Sequence, residues 1–244
     1  MTDWPADWLR PDWPAPASVR ACVTTRAGGV SLPPFETFNL GDHVGDDPAA
    51  VASNRQRLEN LIGSRPAWMS QVHSALAVRA EPQTVPQADA NWTDQPGIAC
   101  CVLTADCLPV LFCDRAGTRV AAAHAGWRGL ASGILEATVT AMNVAPSELL
   151  VWLGPAIGPD AFEVGAEVRE SFVAVHAQAG EAFRPSANPG RFMADIYRLA
   201  RIRLAALGVH NVHGGGYCTV SDPRFYSYRR TPRTGRFASL IWTQ

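Results

Sequence analysis

Gly97-Ile98-Ala99-Cys100-Cys101-Val102-Leu103-Thr104-Ala105-Asp106-Cys107-Leu108-Pro109-Val110-Leu111-Phe112-Cys113 is the stretch on which the fold turns. The runs Gly97 to Leu103 and Leu108 to Cys113 are continuously apolar rather than alternating, which is the pattern of strands covered on both faces. Thr104-Ala105-Asp106-Cys107 separates them and puts Cys107 at a strand edge. Downstream, Asp114-Arg115-Ala116-Gly117 reads as a hairpin connection into a strand from Thr118 to Ala123. That strand delivers His124 directly before a glycine-flanked turn and a helix expected from Leu130 to Met142. Strand-to-helix junctions are favoured places for sites in open α/β sheets.

Upstream, Val19 to Thr25 reads as a strand, followed by the turn-rich loop Arg26-Ala27-Gly28-Gly29-Val30-Ser31. Asp46-Asp47-Pro48 resembles a helix start, and the helix runs through Val51, Leu58, Leu61 and Ile62 to Gly63. Trp68 to Val72 and Ala75 to Ala80 read as short strands flanking His73. Leu149 to Leu153 and Phe237 to Trp242 read as strands, and Glu163 to Val175 and Ala194 to Leu207 as helices. The alternation of strand and helix, with no repeat or linker, indicates one α/β domain over residues 1–244.

Composition narrows the function. With 21 basic and 22 acidic side chains the formal charge is −1, which provides no footprint for nucleic acid or an anionic membrane. The N-terminal segment Met1 to Trp8 carries acids and prolines where a signal peptide needs positive charge and an apolar run, so a cytoplasmic location is expected. Six irregularly placed cysteines read as reduced thiols. All 21 basic residues are Arg and none is Lys. A P-loop and a Schiff-base lysine are therefore both excluded.

His73, Cys107 and His124 each sit in a short, unusual neighbourhood, and together they read as the ligand set of an open zinc site. Two imidazoles and a thiolate suit a borderline-soft divalent ion, and three protein ligands leave a position for water or substrate. No Cys-x-x-Cys or His-x-x-x-His pair lies among them, so only the fold can bring them together. A metal-free alternative uses the same residues, with Cys107 as nucleophile and either His lowering its pKa.

The ordered motifs Thr25-Arg26-Ala27-Gly28-Gly29-Val30-Ser31, Asn39-Leu40-Gly41-Asp42-His43-Val44-Gly45-Asp46-Asp47, Gln71-Val72-His73, Thr104-Ala105-Asp106-Cys107-Leu108-Pro109-Val110, His124-Ala125-Gly126-Trp127-Arg128-Gly129, Gly154-Pro155-Ala156-Ile157-Gly158 and Phe225-Tyr226-Ser227-Tyr228-Arg229-Arg230 span nearly the whole chain. In these the chain resembles the YfiH-type proteins, also called multicopper polyphenol oxidase laccase domain proteins or the peptidoglycan editing factor family. The resemblance implies an α/β/α sandwich around a mixed β-sheet, with zinc held by His73, Cys107 and His124. It also implies phosphorolysis of adenosine, inosine and S-methyl-5'-thioadenosine, with adenosine deamination as a second activity. The family names further imply a copper-dependent phenol oxidase and a role in cell-wall precursor fidelity.

These implied activities ask for different residues. A multicopper oxidase needs several coppers and many imidazoles, yet the chain has six His and no His-x-His pair at the candidate site. Phosphorolysis needs an anion clamp and a donor to the departing base. Arg26, beside Gly28-Gly29, is the first candidate for holding phosphate or ribose oxygens, with Arg229 and Arg230 after it. Asp106 is a candidate to orient a ligating His or carry a proton. His43 is a candidate substrate contact, and Trp92 either stacks on a purine or packs. His176, His210 and His213 are expected to play no part. Thr231-Pro232 stands where the family has an Asp-Gly turn, which affects only the placement of Arg229 and Arg230.

The expectation is thus a zinc-dependent purine nucleoside phosphorylase acting on small molecules as a monomer or homodimer, with copper as the other possible metal. A Cys-dependent hydrolase editing peptidoglycan precursors is the alternative, and a copper-dependent polyphenol oxidase comes after it.

Overall fold

The computed structural model describes residues 4–244, so the reading made on Met1, Thr2 and Asp3 lies outside the described residues. In chain order the elements are β1 (Val19–Val23), α1 (Pro48–Ile62), β2 (Arg65–Ala67), β3 (Ala77–Arg79), β4 (Ala90–Thr93), β5 (Ile98–Thr104), β6 (Leu108–Asp114), β7 (Val120–Ala125), α2 (Trp127–Ser132) and α3 (Ile134–Met142). They continue with β8 (Leu149–Leu153), β9 (Glu163–Gly165), α4 (Ala166–Val173), β10 (Phe183–Pro185), β11 (Arg191–Ala194), α5 (Ile196–Ala206), β12 (Val212–Gly214) and β13 (Phe237–Thr243).

The fold is mixed α/β, and its β layer is double. One sheet has the order β1-β13-β5-β2, the other β12-β8-β6-β7-β4-β3, and both mix parallel and antiparallel pairs. Val102, Ile241, Leu111, Ala122 and Trp152 pack between the sheets. Leu58 and Ile62 of α1 cover the outer face of the first sheet against Leu240 and Trp242. Ile134, Leu135 and Leu199 of α3 and α5 cover the second against Phe112 and Val151. Every residue of β5, β6 and β7 is buried, because each of these strands has a layer on both faces. A side sheet of order β10-β11-β9 flanks the cavity described below.

The two apolar runs that decide the fold belong to different sheets. Residues 104–107 therefore form a crossing between layers, and Cys107 sits where the chain enters the second sheet. The buried Asn91 ties the layers together, donating from Nδ2 to the Ala67 carbonyl at 2.8 Å and accepting from the Cys101 amide at 3.3 Å.

Several elements differ from the sequence reading for identifiable reasons. The helix expected from Leu130 to Met142 is two helices, because Gly133 adopts φ 99° and ends α2. Glu163–Gly165 is a strand rather than a helix start, since it pairs with Arg191–Met193. Trp68 to Val72 is largely irregular, and β4 and β12 were not apparent from apolar periodicity. At α1 the reading holds: Asp47 caps the start, with its side chain accepting from Ala49, and Gly63 closes the end in the left-handed region. All six cysteines are free. Among the described residues no helix is long and apolar enough to cross a membrane.

The double layer makes a stability prediction. Leu111→Ala opens a cavity between fully buried neighbours and is expected to lower unfolding free energy by about 2–5 kcal/mol. Leu32→Ala, at a residue 76% exposed, should change it by less than about 0.5 kcal/mol. Urea unfolding of both variants checks this, and equal losses would contradict the layer assignment.

Candidate metal centre

Asp89, just before β4, is fully buried, and its carboxylate assembles the site. It accepts from the amides of Val72 at 3.2 Å, His73 at 3.0 Å and Ser74 at 2.6 Å, and from the Ser74 hydroxyl at 2.7 Å. The loop wraps the carboxylate with His73 at φ 61°, a conformation uncommon for a non-glycine residue. On its other side Asp89 accepts from His124 Nδ1 at 2.8 Å, while its backbone carbonyl accepts from the His124 amide at 2.6 Å. Because Nδ1 of His124 faces the carboxylate, Nε2 is left for the site.

Cys107 completes the group. Its Sγ lies 3.8 Å from His73 Nε2, and the potential ligand atoms of His73, Cys107 and His124 all fall within 4.8 Å of one another. Asp106, directly before Cys107, has φ 95°, a strained value worth of order 1–3 kcal/mol. It is held there by its carboxylate, which accepts from Thr219 Oγ1 at 2.6 Å and the Arg229 amide at 2.6 Å. Gly126 leaves the room the side chains need. A Cβ there would come within 2.8 Å of His73 Cδ2 and 2.9 Å of Cys107 Sγ.

The charges suit a divalent cation. Burial works against the Cys107 thiolate, but the His124 and His73 imidazoles overcome it and bring the thiol down to about 6. Burial likewise opposes the imidazolium of His124, and Cys107 and Asp89 raise it to about 9. Burial would raise Asp89, yet hydrogen bonds from His124 and Ser74 take it down to about 2. At neutral pH the group is therefore thiolate, imidazolium and carboxylate. An ion ligated there replaces the proton on His124 Nε2 and meets two anions, so the donor set fits a metal such as zinc.

These residues lie in a cavity of about 710 Å³. Of the other residues expected at the site, Asp106, His43 and Arg229 line it, and Arg26 does not. Arg26 pairs with Glu36 Oε1 at 3.1 Å and lies over the Tyr226 ring at 5.2 Å. The amides of Gly29, Val30 and Ser31 bond to Thr37 and Asn54, so that loop offers no anion cradle. The expectation for Arg26 is thereby corrected. Arg230 donates to backbone carbonyls of its own segment, including Thr219 at 2.8 Å. Trp92 packs between Arg79 and Arg119 at 5.0 and 5.9 Å. His124 is oriented by Asp89 rather than by Asp106, a contact the sequence reading missed. The available signal was a lone acid in Ala88-Asp89-Ala90, at the mouth of a strand.

Two outcomes are expected. In metal-depleted protein, alkylation of Cys107 should rise with pH through a midpoint near 6, because a lowered pKa places the reactive thiolate above that pH. Peptide mass spectrometry across a pH series checks it, and a midpoint at the ordinary 9.0 would contradict the electrostatics. Gly126→Ala should weaken metal binding by about tenfold or more with unchanged far-UV circular dichroism, as read by chelator competition.

The family profile described as multi-copper polyphenol oxidoreductase laccase matches residues 20–244. A Pseudomonas aeruginosa protein named purine nucleoside phosphorylase is 69% identical over 238 residues, covering 97% of this chain and 98% of that protein. The Escherichia coli purine nucleoside phosphorylase YfiH is 54% identical over 237 residues, covering 95% and 97%. A crystal structure of a Neisseria meningitidis protein superposes with a TM-score of 0.95 at 51% identity, covering 98% of this chain and 99% of that one. With the profile and these relatives spanning almost its full length, the chain belongs to the YfiH-type, laccase-domain family.

Proposed function

We propose that this chain is a zinc-dependent purine nucleoside phosphorylase acting on adenosine, inosine and S-methyl-5'-thioadenosine, with adenosine deamination as a second activity. The observation that carries the reading is the cluster of His73, Cys107 and His124, three potential ligands lining a cavity of about 710 Å³. That volume lies in the range of small-molecule sites. The names of relatives 69% and 54% identical to the chain support the same activity.

In phosphorolysis the C1'–N9 bond breaks and its electron pair leaves with the purine, which takes up a proton. A phosphate oxygen forms the new bond to C1', giving ribose 1-phosphate. A zinc ion held by His73, Cys107 and His124 would supply Lewis acidity. The rings of Trp127, Phe162 and Tyr228 line the cavity, and the exposed Tyr228 ring offers an apolar face to a base. Partial burial and the neighbouring Arg236 guanidinium hold His43 below the usual imidazole range. Its Nδ1 faces Asp42 Oδ1 at 3.5 Å, which leaves Nε2 for the cavity. Deamination asks for water at C6 with ammonia leaving, and uses the same cavity without phosphate. Among the described residues His73, Cys107 and His124 are the one cluster of this kind, so the residues fit a mononuclear site better than a multicopper oxidase.

A second reading rests on one observation: without metal, Cys107, His124 and Asp89 form a thiolate, imidazolium and carboxylate series. That series is the equipment of a Cys-dependent hydrolase, and peptidoglycan precursors are its candidate substrates.

Product analysis separates the readings. Adenosine should yield adenine and ribose 1-phosphate only when phosphate is present, and inosine without it. His73→Ala, Cys107→Ala and His124→Ala should each lose zinc and both activities while remaining folded. Activity surviving chelation, together with an amide hydrolysis abolished by alkylating Cys107, would establish the hydrolase instead.

A further inference from the structure

Four guanidinium groups face the cavity, and they differ in what they already hold. Arg128 is exposed and lies over the Trp127 ring at 4.5 Å. Arg191 is exposed and 3.9 Å from Glu163. Arg229 donates to the carbonyls of Ala161 at 3.3 Å and Glu163 at 3.2 Å. Arg236, at the start of the last strand, is half-buried and fixed at both ends. Its amide donates to Asn39 Oδ1 at 2.8 Å, its stem packs on Gly41, and Nη1 donates to the carbonyls of Thr234 at 3.0 Å and Gly235 at 2.9 Å. Its Nε and Nη2 donors have no partner among the described residues, and none of the ion pairs there includes it.

A desolvated cation without a paired carboxylate is costly to maintain, and one that faces a ligand cavity marks a place for an anion. Burial pulls the Arg236 guanidinium down, and the Cys107 thiolate, the Asp106 carboxylate and Tyr228 work against it. Asp106 is already held by Thr219 and Arg229, and the charge of Cys107 belongs to the metal centre once an ion is bound.

We propose that Arg236 holds the phosphate in phosphorolysis, presenting Nε–H and Nη2–H as a fork to two oxygens of the anion. This rests on the phosphorylase reading, and it transfers to Arg236 the part that the sequence suggested for Arg26. The fixed stem makes the fork preformed, and a Lys ammonium offers no equivalent planar pair of donors.

The test compares wild type, Arg236→Lys and Arg236→Gln, all zinc-loaded, by two readouts. The first is phosphorolysis of inosine over a phosphate titration, and the second is calorimetric binding of inorganic phosphate without nucleoside. Arg236→Gln should raise the KM for phosphate and weaken phosphate binding by about tenfold or more, with zinc content and the KM for inosine within about twofold of wild type. Arg236→Lys should recover part of the loss. Unchanged phosphate affinity in Arg236→Gln overturns the assignment while leaving the phosphorylase reading intact. If zinc content falls, or the alkylation midpoint of Cys107 moves up, with phosphate affinity unchanged, Arg236 is a counter-charge to the thiolate and the assignment also fails. Should wild type form no ribose 1-phosphate, the phosphorylase reading falls, and calorimetry alone decides: retained phosphate binding in Arg236→Gln overturns the anion site, and its loss supports it. If Arg236→Gln does not fold, the same two measurements on Arg236→Lys decide.

Discussion

One buried carboxylate organises this protein's chemistry. Asp89 accepts from the Val72, His73 and Ser74 amides, the Ser74 hydroxyl and the His124 imidazole. Burying an ionised carboxylate is expensive unless its lone pairs are satisfied, and these five donors satisfy them. The same contacts fix two histidines that lie 51 positions apart in the chain. Asp89 therefore couples a folding requirement to a functional one. The loop that stabilises its charge carries His73, and the imidazole that does so is His124.

The double β layer places Cys107. Residues 104–107 pass from one sheet to the other, and the strained backbone of Asp106 turns Cys107 toward the two imidazoles. Thr219 and the Arg229 amide hold Asp106 in that conformation, so the C-terminal segment also sets the thiolate's position. Arg236 comes from this segment too, so one of the cavity's four guanidinium groups and the Cys107 thiolate share one scaffold.

What the sequence made legible was local. The apolar runs Gly97 to Leu103 and Leu108 to Cys113 identified buried strands, Asp47 and Gly63 bounded α1, and the neighbourhoods of His73, Cys107 and His124 identified the cluster. What it hid depends on distant contacts. Strands buried by a second sheet look the same in sequence as strands buried by helices, so the doubled layer was invisible. The donors to Asp89 are mostly backbone amides, which any residue type supplies. Arg26 and Arg236 both follow a Gly or Thr in turn-like segments, and only the fold shows that Glu36 occupies the first while the second faces the cavity. Gly133 breaks a helix because of its own φ, which an otherwise helical pattern does not reveal.

The cluster of His73, Cys107 and His124 admits two chemistries. A bound divalent ion would make the thiolate and two imidazoles an open metal site, and without one the thiolate lies beside an imidazolium held by Asp89. Zinc K-edge X-ray absorption on the purified protein tests the account most directly. The expected spectrum has two imidazole nitrogens at about 2.0–2.1 Å, one sulfur at about 2.3 Å and one further light-atom ligand. Absence of zinc, or zinc without a sulfur neighbour, would contradict it.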